Sequence, residues 1–242
     1  MIRLLLETAT DVCSVAVARG ENILAEYTAS EAHQHSSHLT LFIQQVMADA
    51  GVKMTDLDEV VLSDGPGSYT SLRVGAATAK GLCMALPRLK LRVVPTLQSL
   101  ATAAGEAEDR VLATINSRKG EVYGQFFGAG PQVQSKSKEA GFEGLWAGPQ
   151  NIRLTEEAWL ERLLELTGGL GFNLCGPGAQ RVLDHLPEDT YLRAHGPEQC
   201  SANLLLAPAC SPEYSRLVDV ATYEPFYLNP PFVTKSKKKL LG

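Results

Sequence analysis

The 242-residue chain carries 22 Lys and Arg against 27 Asp and Glu, a formal net charge of −5, with 45% hydrophobic and 20% charged residues. That length buries one large core or two smaller ones, and the acidic balance excludes a molecule that holds nucleic acid over its whole surface. Five cysteines without a CxxC pair suggest neither a disulfide framework nor a zinc site, which points to a reducing, cytoplasmic compartment.

The apolar start is cut short by Glu7, so it does not read as a signal peptide, and no run is long enough for a membrane helix. Ile2 to Leu6 reads as a buried strand. Val12 to Ala18 reads as a second, with Val15 and Val17 on one face. After the turn at Arg19 to Asn22, the alternation of Ile23, Ala25 and Tyr27 predicts a third, and the three make an antiparallel meander. Leu39, Phe42, Ile43, Val46, Met47 and Ala50 then fall on one face of a helix capped by Ser36 or Ser37 and ended by Gly51. His33, His35 and His38 precede or open it. His35 and His38 are spaced i,i+3 with no acid or cysteine beside them, which suits a loop and cap better than a metal site.

Val60 to Leu62 is a short buried strand that leads into the turn Gly65-Pro66-Gly67. Such a turn either presents amides to an anion or simply allows a sharp strand-to-helix connection. The residues favour the second, and Lys80 lies too far along for a phosphate loop. The following helix has three stripes: apolar (Leu72, Ala76, Ala79, Cys83, Leu86), small (Ser71, Gly75, Ala79, Cys83) and a third with Arg73, Ala77, Lys80 and Met84. Small residues let another backbone approach closely, so this helix is expected to pack tightly on another helix, in this chain or in a partner. Arg73 and Lys80 either pair with a partner's acids or are solvated helix charges. Ser68 and Ser71 lack the elbow of a serine hydrolase. Leu91 to Val94 is a further strand and Thr96 to Ala104 a helix. The order of elements is that of one ribonuclease-H-like lobe.

The polar stretch Gly105 to Asp109 marks the boundary between an N-terminal lobe, residues 1–104, and a C-terminal lobe, residues 105–242. A similar order then begins with strands at Val111 to Ile115 and Val122 to Phe127, a polar loop at Gln132 to Glu139, and a helix at Thr155 to Thr167. Thr155 is its expected cap, and Trp159, Leu160, Leu163 and Leu164 its buried side. Phe172 to Cys175 is a strand that ends at Gly176-Pro177-Gly178, followed by a helix at Ala179 to His185. Leu204 to Ala209 and Leu217 to Ala221 read as helical. Pro225, Pro230 and Pro231 keep Glu224 to Phe232 extended, with Phe226, Tyr227 and Phe232 set to lie on another surface. The chain closes on a basic tail, Lys235 to Lys239, of a kind that either reaches RNA phosphates or is solvated.

Leu4-Leu5-Leu6-Glu7-Thr8-Ala9-Thr10 with Cys13 to Val17, the block from Gly65 to Leu82, Arg118 to Tyr123, and Pro225-Phe226-Tyr227-Leu228 together resemble the TsaB (YeaZ) family. Asn116-Ser117-Arg118 stands where that family often has Asp-Ala-Arg. The resemblance implies an α/β, actin-like (ASKHA) two-lobed fold, each lobe ribonuclease-H-like with a five-stranded mixed sheet and flanking helices. It implies a non-catalytic scaffold that binds and activates TsaD, with TsaE joining, in the complex that adds threonylcarbamoyl to the adenosine beside the anticodon of tRNAs reading ANN codons. The partner-binding residues it implies are Ser71, Arg73, Val74, Gly75, Ala79 and Lys80, with a homodimer through the same face when TsaD is absent. It implies contact with tRNA only through the complex, no membrane, no cofactor held by this chain alone, and ATP and a metal ion in the assembled complex. In actin-like ATPases the first hairpin carries an Asp and a glycine that admit phosphate and magnesium. Glu7 and Ala9 occupy those places here, and both crowd a phosphate. The alternative is an independent ATP-dependent kinase of the same superfamily. A peptidase has least support, because no nucleophile–base or metal set is visible.

Overall fold

In the computed structural model every residue from Arg3 to Glu7 of strand β1 (Ile2–Glu7) is buried, and the first of two sheets is built outward from that strand. The structure describes residues 1–29, 35–105, 110–128, 148–167, 171–187 and 192–230. β1 pairs antiparallel with β2 (Cys13–Arg19), which pairs antiparallel with β3 (Asn22–Ala29). On its other side β1 pairs parallel with β4 (Glu59–Ser63), and β4 parallel with β5 (Lys90–Val94). In the second sheet β6 (Val111–Asn116) repeats the central role. It pairs antiparallel with β7 (Glu121–Phe127) and parallel with β9 (Phe172–Cys175). β8 (Gln150–Arg153) and β10 (Leu192–Ala194) complete the edges. The same strand order on both sides of a central strand is the actin-like arrangement of two ribonuclease-H-like lobes.

Because side chains alternate across a strand, β1 feeds two cores. Leu4 and Leu6 meet Val15, Val17, Val60 and Leu62 beneath helices α1 (His35–Asp49) and α2 (Tyr69–Ala85). Leu5 points the other way, to Ala16, Val61, Val94 and the segment carrying Ala202, Leu205, Leu206 and Ala209. Helix α3 (Thr96–Ala103) joins the lobes: Leu97, Leu100 and Ala101 pack with Val111, Ala113, Ile115 and Tyr123 of the second sheet. The outer side of that sheet is covered by α4 (Ala158–Thr167) through Trp159 and Leu163, and by α5 (Ala179–Leu183) through Val182.

Four expectations change. Leu217 to Ala221 is not helical: Arg216–Val218 forms β11, antiparallel to β5, and the first sheet has six strands rather than five. A short apolar run does not separate helix from strand by period alone, and Asp219 stops the segment by accepting the N–H groups of Ala221 and Thr222. Leu204 to Ala209 is split into a 3-10 turn, Ala202–Leu205, and the short helix α6, Leu206–Ala209. Thr155 does not cap α4, because a turn closed by Glu156 N–H on the Arg153 carbonyl delays the helix to Ala158. Ser36 and Ser37 lie inside the first turn of α1 rather than before it. The polar loop at 132–139, the side chain of Leu164, His33 and the tail at 235–239 lie outside the described residues, as do the side chains of His35 and His38.

Helix α2 shows how the small stripe is used. A Cβ on Gly75 would collide with Thr8 Oγ1 and lie 3.1 Å from Leu62 Cδ1, whereas a Cβ on Gly81 meets nothing within 4 Å. Gly75→Ala is therefore expected to destabilise the fold by about 1–3 kcal/mol. Gly81→Ala, on the open side of the same helix, is expected to be neutral or stabilising by up to about 1 kcal/mol. Urea unfolding of the two variants against the unsubstituted chain checks both.

Candidate functional site at the first hairpin, the glycine turn and helix α2

The β1–β2 hairpin and the glycine turn close on each other. Ser68 N–H donates to the Ala9 carbonyl at 2.7 Å, and a Cβ on Gly67 would collide with that same carbonyl oxygen. Only glycine allows this approach. Ser68 then caps α2: its Oγ accepts from the N–H and the hydroxyl of Ser71.

Glu7 does not face the space between the lobes. It is fully buried, and its Oε1 accepts the Ala9 N–H at 2.6 Å. Among the described residues its Oε2 has no hydrogen-bond partner. Burial raises its carboxyl to about 7, against the opposing effect of the Ala9 N–H bond and of the nearby Ser63 and Thr8 dipoles. The hairpin amide and the turn amide nearest this acid are thus both engaged within the chain.

A cleft of about 480 Å³ lies between the lobes beside this closure. Thr10, Asp11, Ser68 and Tyr69 line its first-lobe wall, and Asn116, Arg118 and Arg181 line the opposite one. The C-terminal strap crosses its mouth with Tyr227, Leu228 and Asn229. Asp64, the residue before the glycine turn, holds that strap. Its carboxylate accepts from Arg216 Nη2 at 2.6 Å and from Tyr223 Oη at 3.0 Å, and its carbonyl accepts from Phe226 N–H at 2.8 Å. Burial raises the Asp64 carboxyl and outweighs the Arg216 charge that acts to lower it. Gly65 makes room for the Phe226 carbonyl, which a Cβ would strike. Tyr227 packs on Tyr69 with ring centroids 4.7 Å apart, and Arg73 lies over the Tyr69 ring at 5.1 Å. Asn229 Nδ2 reaches Tyr123 Oη of the second sheet at 3.2 Å. The extended terminal segment therefore lies on this chain itself, with Phe226 left 41% exposed.

The six residues singled out on α2 divide between its two sides. Ser71, Gly75 and Ala79 are buried against the chain's own first sheet, where the tight contact is with a strand rather than with another helix. Arg73 is exposed and Val74 half-buried on the outer side. Lys80 is half-buried, and its Nζ donates to the carbonyls of Tyr223 at 3.0 Å and Ala221 at 3.3 Å. The outer side also carries Ala77, Gly81 and the 75% exposed Met84, beside α1 with its 52% exposed Leu41. The Asp64 clamp escaped sequence reading, because Arg216 and Tyr223 lie 152 and 159 residues away. Among the described residues no group of three or more His, Cys, Asp or Glu is placed to hold a metal ion, and no helix is long and apolar enough to cross a membrane.

Residues 22–138 match the family model "TsaD: tRNA N6-adenosine threonylcarbamoyltransferase". The chain is 30% identical over 168 residues to the tRNA threonylcarbamoyladenosine biosynthesis protein TsaB of Escherichia coli, covering 68% of this chain and 67% of that protein. The Bacillus subtilis TsaB is 27% identical over 165 residues, with 68% and 67% covered. The Haemophilus influenzae TsaB is 36% identical over 129 residues, with 50% and 51% covered, so the matches span from about half to two thirds of these relatives. Among solved structures, YeaZ from Pseudomonas aeruginosa superposes with a TM-score of 0.67 at 19% identity, over 94% of this chain and 99% of that one, which bears on the fold.

The buried acid gives a pH prediction. Between pH 4.5 and about 7 the folded chain holds the Glu7 proton that the unfolded chain has released. The stability this group contributes is therefore present in full below 4.5 and lost as pH rises through about 7. That interval corresponds to roughly 3 kcal/mol. Glu7→Gln is expected to flatten the stability profile between pH 5 and 7.5, read from denaturant midpoints at each pH. An unchanged slope would place the titration elsewhere.

Proposed function

The chain belongs to the TsaB family, and on that premise we propose that it is a non-catalytic subunit of the machinery that adds threonylcarbamoyl to the adenosine beside the anticodon of tRNAs reading ANN codons. In this reading it works in the cytoplasm, binding and activating TsaD, with TsaE joining the assembly. The observation that carries it is the closure of the first hairpin on the glycine turn. Glu7 Oε1 is held by Ala9 N–H in the interior, and the Ala9 carbonyl occupies Ser68 N–H. A magnesium-bound phosphate does not fit a hairpin whose acid is buried and whose backbone is engaged in this way. The ATP and metal ion of the assembled complex then belong to the partner subunit. An independent kinase would need the same hairpin open.

The partner surface is the outer side of α2. Arg73, Val74, Ala77 and Gly81 form a shallow strip on which a second helix can lie closely, next to α1. Ser71, Gly75 and Ala79 contribute from beneath by seating the helix on the sheet. Lys80 contributes by tying α2 to the strap. When TsaD is absent the same strip is open to a second copy of this chain, an isologous arrangement. We place the lobe boundary near Gly105, with the segment from Ala202 to Val218 returning to the first sheet.

Size-exclusion chromatography with light scattering tests the reading. Mixing with TsaD is expected to give a one-to-one heterodimer, and two separate peaks at micromolar concentrations contradict it. Arg73→Glu and Gly81→Leu are each expected to weaken the complex by at least about tenfold, roughly 1.4 kcal/mol, without lowering the unfolding midpoint. Magnesium-dependent ATP turnover by the purified chain alone would favour the kinase instead.

A further inference from the structure

From Gly65 to Gly105 the sequence holds the cations Arg73, Lys80, Arg88, Lys90 and Arg92 and no acid. In a chain of net charge −5 this makes one part of the first lobe locally basic. Three of these cations are used within the chain. Arg73 lies over Tyr69, Lys80 binds the strap carbonyls, and Arg92 pairs with Glu59 at 3.0 Å. Arg88 and Lys90 stand exposed where α2 gives way to β5. Lys90 lines a groove of about 660 Å³ between the end of α2, the start of β5 and β11. The groove has an apolar floor of buried Cys83, Leu89 and Leu91. Met84, 75% exposed, and Leu217, 49% exposed, line it as well. Asp219 also lines it, but its carboxylate is taken up by the N–H groups of Ala221 and Thr222 and by the Thr222 hydroxyl. β11 is an end strand: among the described residues only β5 pairs with it. In an antiparallel pair alternate residues turn their N–H and C=O away from the partner, so β11 presents backbone groups to an open edge.

We propose that this edge is a docking site for an extended, acidic segment of another protein, which adds to β11 as a further strand. The backbone of that segment pairs with β11, alternate side chains lie in the groove against Met84 and Leu217, and its acids face Lys90 and Arg88. In such docking the main-chain bonds supply affinity and the pockets for alternate side chains supply specificity. The surface suits a peptide better than RNA. Affinity for nucleic acid grows with the number of phosphates neutralised, and two exposed cations beside an apolar floor offer few. An acidic strand uses both the charge and the unpaired edge. Short edge strands guard against indiscriminate pairing, so the three residues of β11 leave the flanking cations to select the partner. The proposal does not depend on the subunit role, and its test uses the chain alone.

The test is an amide NMR titration of the full chain with a capped seven-residue peptide that alternates Glu with Val and Leu. Saturable shifts confined to β11, β5 and the end of α2 are expected. Two further forms of the peptide, N-methylated on either set of alternate amides, are expected to separate, one binding as before and the other at least about tenfold weaker, because only one edge of the added strand meets β11. Arg88→Glu with Lys90→Glu, both exposed, is expected to weaken the acidic peptide at least about tenfold and to admit the counterpart with Lys in place of Glu, with an unchanged unfolding midpoint. Absence of saturable shifts overturns the proposal, as does equal binding of the acidic and basic peptides to the unsubstituted chain. Displacement of the peptide by tRNA would make this an RNA contact, and concentration-dependent broadening of β11 without peptide would make a second copy its occupant. Either result also overturns the proposal.

Discussion

A single close approach organises the first lobe: the backbone of the β1–β2 hairpin lies directly on the glycine turn that opens α2. The Ala9 carbonyl takes the Ser68 N–H at 2.7 Å, at a distance that only a glycine at position 67 allows. Two turns later Gly75 lets the same helix settle on Thr8 and Leu62. Desolvated backbone groups must be paired, and here they are paired with each other rather than with a ligand. The contact therefore sets the position of α2 and engages the hairpin backbone at once.

The strap is the second consequence. Once α2 is seated, Lys80 reaches back to the carbonyls of Ala221 and Tyr223, and Asp64 gathers Arg216, Tyr223 and the Phe226 amide. A buried carboxylate without such partners would be costly. With them it fixes the C-terminal segment across both lobes, ending on Tyr123 through Asn229. The helix that carries the proposed partner surface and the mouth of the interlobe cleft are thus tied by one short stretch of chain.

Much of this was legible beforehand where the signal is local. Alternation in Val15, Val17, Ile23, Ala25 and Tyr27 locates the meander, and the block from Gly65 to Leu82 locates the turn and helix. Periodicity shows that Ser71, Gly75 and Ala79 share a side of α2. It does not say whether a sheet or another helix covers that side, because both are satisfied by small residues. The tie from Lys80 to the strap was not legible for a related reason: its acceptors are backbone carbonyls more than 140 residues away, and carbonyls leave no trace in residue types. Leu217 and Val218 became a strand because β5 offered an unpaired edge, a fact of the assembled sheet rather than of the segment.

The central claim is that α2 has one side engaged by its own sheet and the other open to a paralogous subunit. Photocrosslinking from a reactive amino acid placed at Ala77, with Leu24 on the opposite edge strand as control, addresses it directly. The account predicts a covalent adduct with TsaD from Ala77 and none from Leu24. An adduct from Leu24 alone, or from neither position in a complex shown to be intact, would contradict it.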